Sequence, residues 1–181
     1  MQHANSFVVR QATSAADVEA ARDCFIAYTT WLDEDISFQN YKTELQGLPG
    51  QYVPPLGALL LAVDPSVDHQ ILGCVAVRGI RVEPEYRGNR PEMTRVCEMK
   101  RLFVYPEARG RQVGRALIRA AVERARAAGY DQMVFDTMER MKAAIRLYES
   151  EGFREDGPYY FNPLTEDPMK GVLFFSKELQ I

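Results

Sequence analysis

The sequence predicts an α/β fold: a mixed, largely antiparallel central sheet of about seven strands flanked by helices. Three observations carry that expectation. Two apolar, strand-like runs, Ala58 to Val63 (ALLLAV) and Ile71 to Val82, are joined by the turn DPSVDHQ, the pattern of a hairpin. Two later segments, between further strand-like runs, carry apolar residues at helical spacing. No repeat, low-complexity tract or long linker divides the 181 residues, so residues 1–181 read as a single domain with a core of its own.

The elements follow in chain order. Ser6 to Gln11 suits a short strand. Thr13 or Ser14 offers an N-cap for a helix with Val18, Ala21, Cys24, Phe25 and Tyr28 on one side, and the acidic DEDIS ends it. Tyr41 to Leu48 makes a short helix, and LPGQYVPPLG is a Pro/Gly loop. After the hairpin, Val82 to Arg95 is polar and broken by Pro84 and Pro91. Cys97 to Tyr105 is a strand. Gln112 to Ala128 is a helix with Val113, Leu117, Ala121 and Ala125 in one stripe, closed by Gly129. Gln132 to Asp136 is a strand, Glu139 to Glu151 an amphipathic helix closed by Gly152, and Phe153 and Val172 to Lys177 supply the last strands.

Composition narrows the function. A formal net charge of −3 creates no global field that would recruit nucleic acid. The start, MQHANSFVVR, lacks a basic region followed by a long apolar run, and no apolar stretch approaches the ~20 residues that span a bilayer. The chain therefore reads as cytoplasmic, uncleaved, without membrane or nucleic-acid partners, and as a monomer or homodimer. Cys24, Cys74 and Cys97 are scattered among apolar neighbours and read as reduced, buried thiols. The only histidines, His3 and His69, fall in the N-terminal tail and a turn. That argues against a Ser-His-Asp triad, a His-activated cysteine and a zinc site.

One motif occurs twice. VEPEYRG (Val82 to Gly88) and VYPEARG (Val104 to Gly110) both read V-x-P-E-x-R-G. A helix starting straight after such a turn converts it into an anion site, because the free N–H groups of its first turn converge and its dipole adds positive potential. After Gly110 comes RQVGRALIRAAVERARAAG, an amphipathic helix of about four turns. After Gly88 comes NRPEMTR, where Pro91 disfavours helix at Arg90. Only the second copy has the helix, so the first is expected to make no anion contact. The second turn carries Arg109, Arg111 and Arg115 with Gly110 and Gly114, but neither a Walker nor a G-x-G-x-x-G pattern. Taken alone, it is compatible with an anion cradle or with a solvated, Arg-rich helix start.

The segment CEMKRLFVYPEARGRQVGRALIRAAVERARAAGYDQMVFDT, continued by MKAAIRLYESEGF and PYYFNP, resembles the GNAT superfamily of acyl-CoA-dependent N-acyltransferases. Strand, Arg/Gly turn, helix, strand, helix with Leu-Tyr, then Gly-Phe appear in that family's order. ISFQNYKTELQGLPGQYVPPLGALLLA is similar to a branch of small single-domain acetyltransferases, relative to which residues 82–95 look inserted. The resemblance covers nearly the whole chain. It implies acetyl-CoA as co-substrate, no metal, and direct transfer of the acetyl group to a primary amine of a small molecule in a ternary complex. Alternatives are a protein (lysine or N-terminal) acetyltransferase, or a non-catalytic acyl-CoA-binding module.

The resemblance also implies sites. A strand splayed at a bulge would pair its backbone with the pantetheine arm, which falls on Leu102, Phe103 and Val104. The pyrophosphate would lie on Arg109, Gly110, Arg111, Gln112, Val113, Gly114 and Arg115, with Ala144 completing the cofactor set. Gln112 stands where the family pattern has glycine, and a helical or bridge conformation is expected for it. Met141 stands where asparagine is common. Tyr148 occupies the general-acid column; otherwise it packs on a stripe with Met141, Ala144 and Ile145. Glu98 occupies the column of a catalytic base. A period of two puts it on one face with Lys100, Leu102 and Val104, where an apolar cleft would raise its pKa. Its alternative is a salt bridge with Arg95 or Lys100. Ser37 and Phe38 on one wall, and Tyr159, Tyr160 and Asn162 on the other, would border the acceptor. Asp33, Glu34 and Asp35 either attract a cationic amine or are solvated surface.

Overall fold

The computed structural model describes residues 7–33, 40–160 and 171–180. The chain forms β1 (Val8–Gln11), α1 (Ala15–Leu32), α2 (Tyr41–Gln46), β2 (Ala58–Asp64), β3 (Gln70–Ile80), β4 (Val96–Val104), α3 (Val113–Ala127), β5 (Gln132–Met138), α4 (Lys142–Ser150), β6 (Arg154–Asp156) and β7 (Val172–Glu178). The expected α/β class holds. A seven-stranded sheet runs in the order β1-β2-β3-β4-β5-β7-β6. Every pairing is antiparallel except β4 with β5.

Local chemistry explains the element ends. Ser14 caps α1 in a capping box with Asp17, whose carboxylate also takes two bonds from Arg10 at 2.7 and 2.8 Å. The last helix is shorter than its amphipathic stripe: α4 begins at Lys142, not Glu139. Met141 is its non-helical N-cap residue, and Arg140 Nη2 reaches back to the Leu32 carbonyl at 2.5 Å.

The sheet is buried on both faces, and alternation along β2 sorts the two sides. Leu60, Val75, Val77, Cys97, Met99 and Phe135 pack against Leu117, Ile118 and Ala121 of α3. Leu59, Leu61, Cys74, Ala76 and Phe103 pack against Cys24 and Phe25 of α1. A third cluster, Val96, Val134, Tyr159 and Phe174, continues the α1 face beyond the helices. All three cysteines are free and buried.

Strand β4 contains the feature that positions the site. Its register with β3 shifts between Cys74 and Ala76, so Ala76 opposes Lys100 while Cys74 opposes Phe103. One extra residue is therefore stored on β4, and Arg101 takes it up at φ 56. The bulge inverts the face alternation. Leu102 and Val104 join Met99 on the α3 face, whereas strict period two would have kept them with Glu98 and Lys100. That corrects the sequence expectation.

Left-handed backbone at a residue with a Cβ costs about 1–2 kcal/mol. Buried contacts hold it here. Arg101 Nη2 pairs with Glu44 of α2 at 2.7 Å, its guanidinium lies 5.3 Å from the Tyr41 ring centre, and its carbonyl accepts from Cys74 Sγ at 3.3 Å.

Candidate active site

Beyond the bulge, β4 leaves its parallel neighbour. Pairing with β5 runs through Val96–Gln132, Cys97–Met133 and Glu98–Val134 and then stops, although both strands continue. Tyr105 N–H still bonds the Leu72 carbonyl across β3 at 3.0 Å. Alternation then turns the N–H and C=O groups of Leu102 and Val104 towards the gap. A slot with open backbone groups on one wall is what an extended amide-bearing ligand pairs with as an added strand.

The slot leads to the N-terminus of α3. Among the described residues, the N–H groups of Gln112, Val113, Gly114 and Arg115 make no backbone hydrogen bond. Four orphan donors at a helix start form an anion-binding surface. Gly114 permits its close packing: a Cβ there would lie 3.2 Å from Leu147 Cδ2 and 3.7 Å from Val104 Cγ2. Ala144, in the first turn of α4, packs partly buried against the same core.

Gln112 does not take the expected helical or bridge conformation. It is the N-cap residue of α3 at φ 64, ψ 14, in the left-handed region that glycine enters freely. The three arginines of the turn also differ from one another. Arg111 Nη2 pairs with Asp64 at 2.7 Å, and Arg115 pairs with Glu151, which Arg119 also holds at 2.8 Å. Arg109 has no carboxylate partner among the described residues. Its Nε donates to the Val104 carbonyl at 3.2 Å, and its guanidinium lies 5.1 Å from the Trp31 ring centre.

The two V-x-P-E-x-R-G copies fold alike and differ in context. Each forms one 3₁₀ turn, Pro84–Tyr86 and Pro106–Ala108, and each ends on a left-handed glycine, Gly88 at φ 58 and Gly110 at φ 80. The second precedes α3. The first belongs to the loop at the other end of β4, pinned by Arg90, which pairs with Asp156 at 2.6 Å and donates to Gln132 Oε1.

Two groups of polar side chains flank the slot from opposite faces. On the α3 side, Tyr148 is buried against Phe135 (4.3 Å between ring centres), Phe153 and Phe175. Ala144 and Ile145 of the expected stripe pack against the same core cluster. The Tyr148 hydroxyl has no hydrogen-bond partner among the described residues, and burial raises its pKa, so it stays protonated. Met141 Sδ instead accepts from Thr137 Oγ1 at 3.6 Å.

On the α1 side, Glu98 is the hub. Its Oε2 accepts from Arg78 Nε at 2.8 Å, its Oε1 accepts from the Tyr159 hydroxyl at 2.8 Å, and Lys100 Nζ lies 3.6 Å from Oε1. Burial acts to raise its pKa, but Lys100, Arg78 and Tyr159 together outweigh it and hold the carboxyl below its ordinary value. The expected rise does not occur. Of the two salt bridges anticipated, the one with Lys100 forms. Arg95 instead caps α3 through the Ala128 and Gly129 carbonyls.

Tyr160 donates to Asp136 Oδ2 at 2.6 Å, so both tyrosines of PYYFNP point polar ends into this network. Ser37, Phe38, Asn162, Glu34 and Asp35 lie outside the described residues. Sequence reasoning missed Arg78, Asp136 and the central place of Lys100. An arginine interrupting the α1-facing series Cys74, Ala76, Arg78, Ile80 of a mostly apolar strand was the available signal.

No group of three or more His, Cys, Asp or Glu residues able to hold a metal occurs among the described residues. Nor, among them, is any helix long and apolar enough to cross a membrane.

A model of the acetyltransferase (GNAT) domain matches residues 55–155. The chain belongs to the GNAT acetyltransferase family. An uncharacterized N-acetyltransferase of Schizosaccharomyces pombe is 40% identical over 131 residues, covering 72% of each chain. Another from Dictyostelium discoideum is 29% identical, covering 88% of this chain and 95% of the relative. In fold, the chain is similar to an acetyltransferase from Streptococcus agalactiae (TM-score 0.68, 20% identity, 96% of this chain and 98% of that one). It is also similar to a Salmonella typhimurium acetyltransferase solved with its cofactor acetyl-CoA (TM-score 0.64, 18% identity, 97% and 95%). This GNAT protein is an acetyl-CoA-dependent N-acetyltransferase.

The left-handed Gln112 gives a direct test. Gln112→Gly should raise stability by up to about 1 kcal/mol, read from the urea midpoint, because it removes a Cβ from left-handed backbone. A fall of that size would contradict the conformation.

Proposed function

We propose that the enzyme transfers the acetyl group of acetyl-CoA directly to a primary amine of a small molecule, in a ternary complex. The observation that carries the reading is the gap between β4 and β5, open to the α3 N-terminus at one end and flanked by Tyr148 and the Glu98 network. Among the described residues of that arrangement, none is suited to carry the acetyl group covalently: the three cysteines are buried in the core clusters, and burial pushes Cys97 up to about 12. We take residues 1–181 as one domain with 82–95 as an inserted loop, in a cytoplasmic protein.

In this reading the pantetheine arm pairs with the backbone of Leu102, Phe103 and Val104. The pyrophosphate lies on the N–H groups of Gln112 to Arg115. Arg109 leaves the Val104 carbonyl, which pantetheine then meets, and turns its charge to the phosphates. Gly110, Arg111 and Ala144 complete the pocket, Arg111 chiefly by anchoring the turn to Asp64.

Tyr148 donates to the departing sulfur. Its raised pKa makes it a hydrogen-bond donor at every working pH, and the thiolate gains its proton through that contact. Tyr159 and Tyr160 form one wall of the acceptor site, with Ser37, Phe38 and Asn162 assigned to it from the sequence. Glu98 is the anion that orders Arg78, Lys100 and Tyr159.

A panel of amines assayed with acetyl-CoA for thiol release tests the reading. At least one small primary amine should be acetylated; turnover only on lysine or N-terminal peptides would favour a protein acceptor. With the preferred amine, Tyr148→Phe should lower kcat by about 100-fold at similar acetyl-CoA affinity. Unchanged kcat would remove Tyr148 from the chemistry. Arg109→Ala should weaken acetyl-CoA binding about tenfold, one charge-assisted contact, whereas Arg87→Ala should leave it unchanged. The reverse order would move the cofactor to the other turn.

A further inference from the structure

We propose that Lys100, rather than Glu98, accepts the proton that the acceptor amine loses as the acetyl group is transferred. This rests on the direct-transfer reading above.

Position comes first. Strand pairing between β4 and β5 ends at Glu98 and Val134. Lys100 lies two residues further on, on the Glu98 face, level with Asp136 across the opening gap. Leu102, the first residue beyond the bulge with its backbone turned to the gap, is two residues away. A thioester at the end of a pantetheine arm running along Val104 and Leu102 would arrive beside this position. The Lys100 side chain is 7% exposed, with its Nζ 3.6 Å from Glu98 Oε1. The ammonium formed on proton uptake therefore has its counter-ion in place.

The charged surroundings rank the candidates. Arg78 of β3 and Arg101 of β4 cannot give up their protons. Glu98 already accepts from Arg78 and Tyr159, and its pKa is depressed, so it is the weaker proton acceptor. Asp136 of β5 accepts from Tyr160. Glu44 of α2 is taken by Arg101 and Tyr52, and Tyr28 of α1, raised to about 12 by burial, stays neutral. For Lys100, burial, Arg101 and Arg78 favour the neutral amine, while Glu98 and Asp136 oppose them, and the balance lowers its pKa. Once neutral, its amine is a stronger base than the Glu98 carboxylate, whose two oxygens already accept from Arg78 and Tyr159.

The step balances. The acceptor nitrogen forms the new N–C bond, and its proton passes to the neutral Lys100 amine. The C–S bond breaks with its electron pair on sulfur, which is protonated through Tyr148. Solvent then returns the proton from Lys100 and restores Tyr148.

The test is the pH profile of kcat/KM for the wild type, Lys100→Arg and Glu98→Gln. It is read by thiol release on whichever acceptor, amine or lysine peptide, the wild type uses. The acceptor's own titration is common to all three profiles, so what moves belongs to the protein. A neutral lysine is active above its pKa, so it contributes an acidic limb. Lys100→Arg should lose about 100-fold or more and lack that limb, with acetyl-CoA affinity within about twofold by calorimetry. Glu98→Gln should keep the limb and move it to lower pH, because Glu98 is the group that holds the proton on Lys100. Loss of the limb in Glu98→Gln, with the limb retained in Lys100→Arg, would make Glu98 the base. Profiles that move in neither variant would assign the role to water. If Lys100→Arg fails to fold by circular dichroism, the direction of the Glu98→Gln shift still decides. Which acceptor class the wild type uses decides the direct-transfer reading separately.

Discussion

The site depends on one extra residue in β4. Arg101 absorbs it in left-handed backbone, bends the strand, and ends its pairing with β5 at Glu98. Three consequences follow. The backbone of Leu102 and Val104 faces an open slot. The side-chain alternation inverts, so the segment beyond the bulge packs its apolar residues under α3. Polar groups before the bulge, Glu98 and Lys100, remain on the α1 face. A strained residue of this kind persists only when its surroundings over-determine it. Here they do so through the buried Glu44 pair and the Tyr41 ring, which tie the bulge to α2. Removing one partner of such a buried pair typically costs about 3–5 kcal/mol, more than the strain it holds.

The slot gives the two sides of the sheet different tasks. The α3 side is almost wholly aromatic and aliphatic around Tyr148, so its phenol is neutral and, among the described residues, its hydroxyl is unengaged. The α1 side holds opposed charges at close range. Desolvation alone would neutralise Glu98, but two cations and a tyrosine hydroxyl reverse the sign. The same desolvation acts on Lys100 with two further cations beside it, and there it prevails. Both pKa values are thus lowered, for opposite reasons: that of Glu98 by its partners against burial, that of Lys100 by burial and its cationic neighbours against Glu98 and Asp136.

The order of elements was legible because each strand and helix carries its own period, and because Ser14, Gly129 and Gly152 punctuate them. The slot itself was legible only through family resemblance: nothing in CEMKRLFVY marks Arg101 as a bulge, since an arginine gives no sign of left-handed backbone. The error in face assignment came from that single residue. Gln112 shows the converse. The glycine column of the family pattern signalled a left-handed residue, but a side chain with a Cβ argued otherwise, and the turn won. The charges around Glu98 were half legible. Lys100 is a strand neighbour, whereas Arg78 arrives through β3–β4 register and Tyr159 from 61 residues along the chain. Only tertiary structure brings these together, and they set the sign of the pKa shift.

The central claim is that the bulge at Arg101 opens β4 for the cofactor. Hydrogen exchange along β4, with and without acetyl-CoA, addresses it most directly. The Leu102 and Val104 amides should become protected on binding, while those of Val96 to Glu98 and of the 82–95 loop stay as they were. Protection confined to the loop, or none beyond Arg101, would contradict the account.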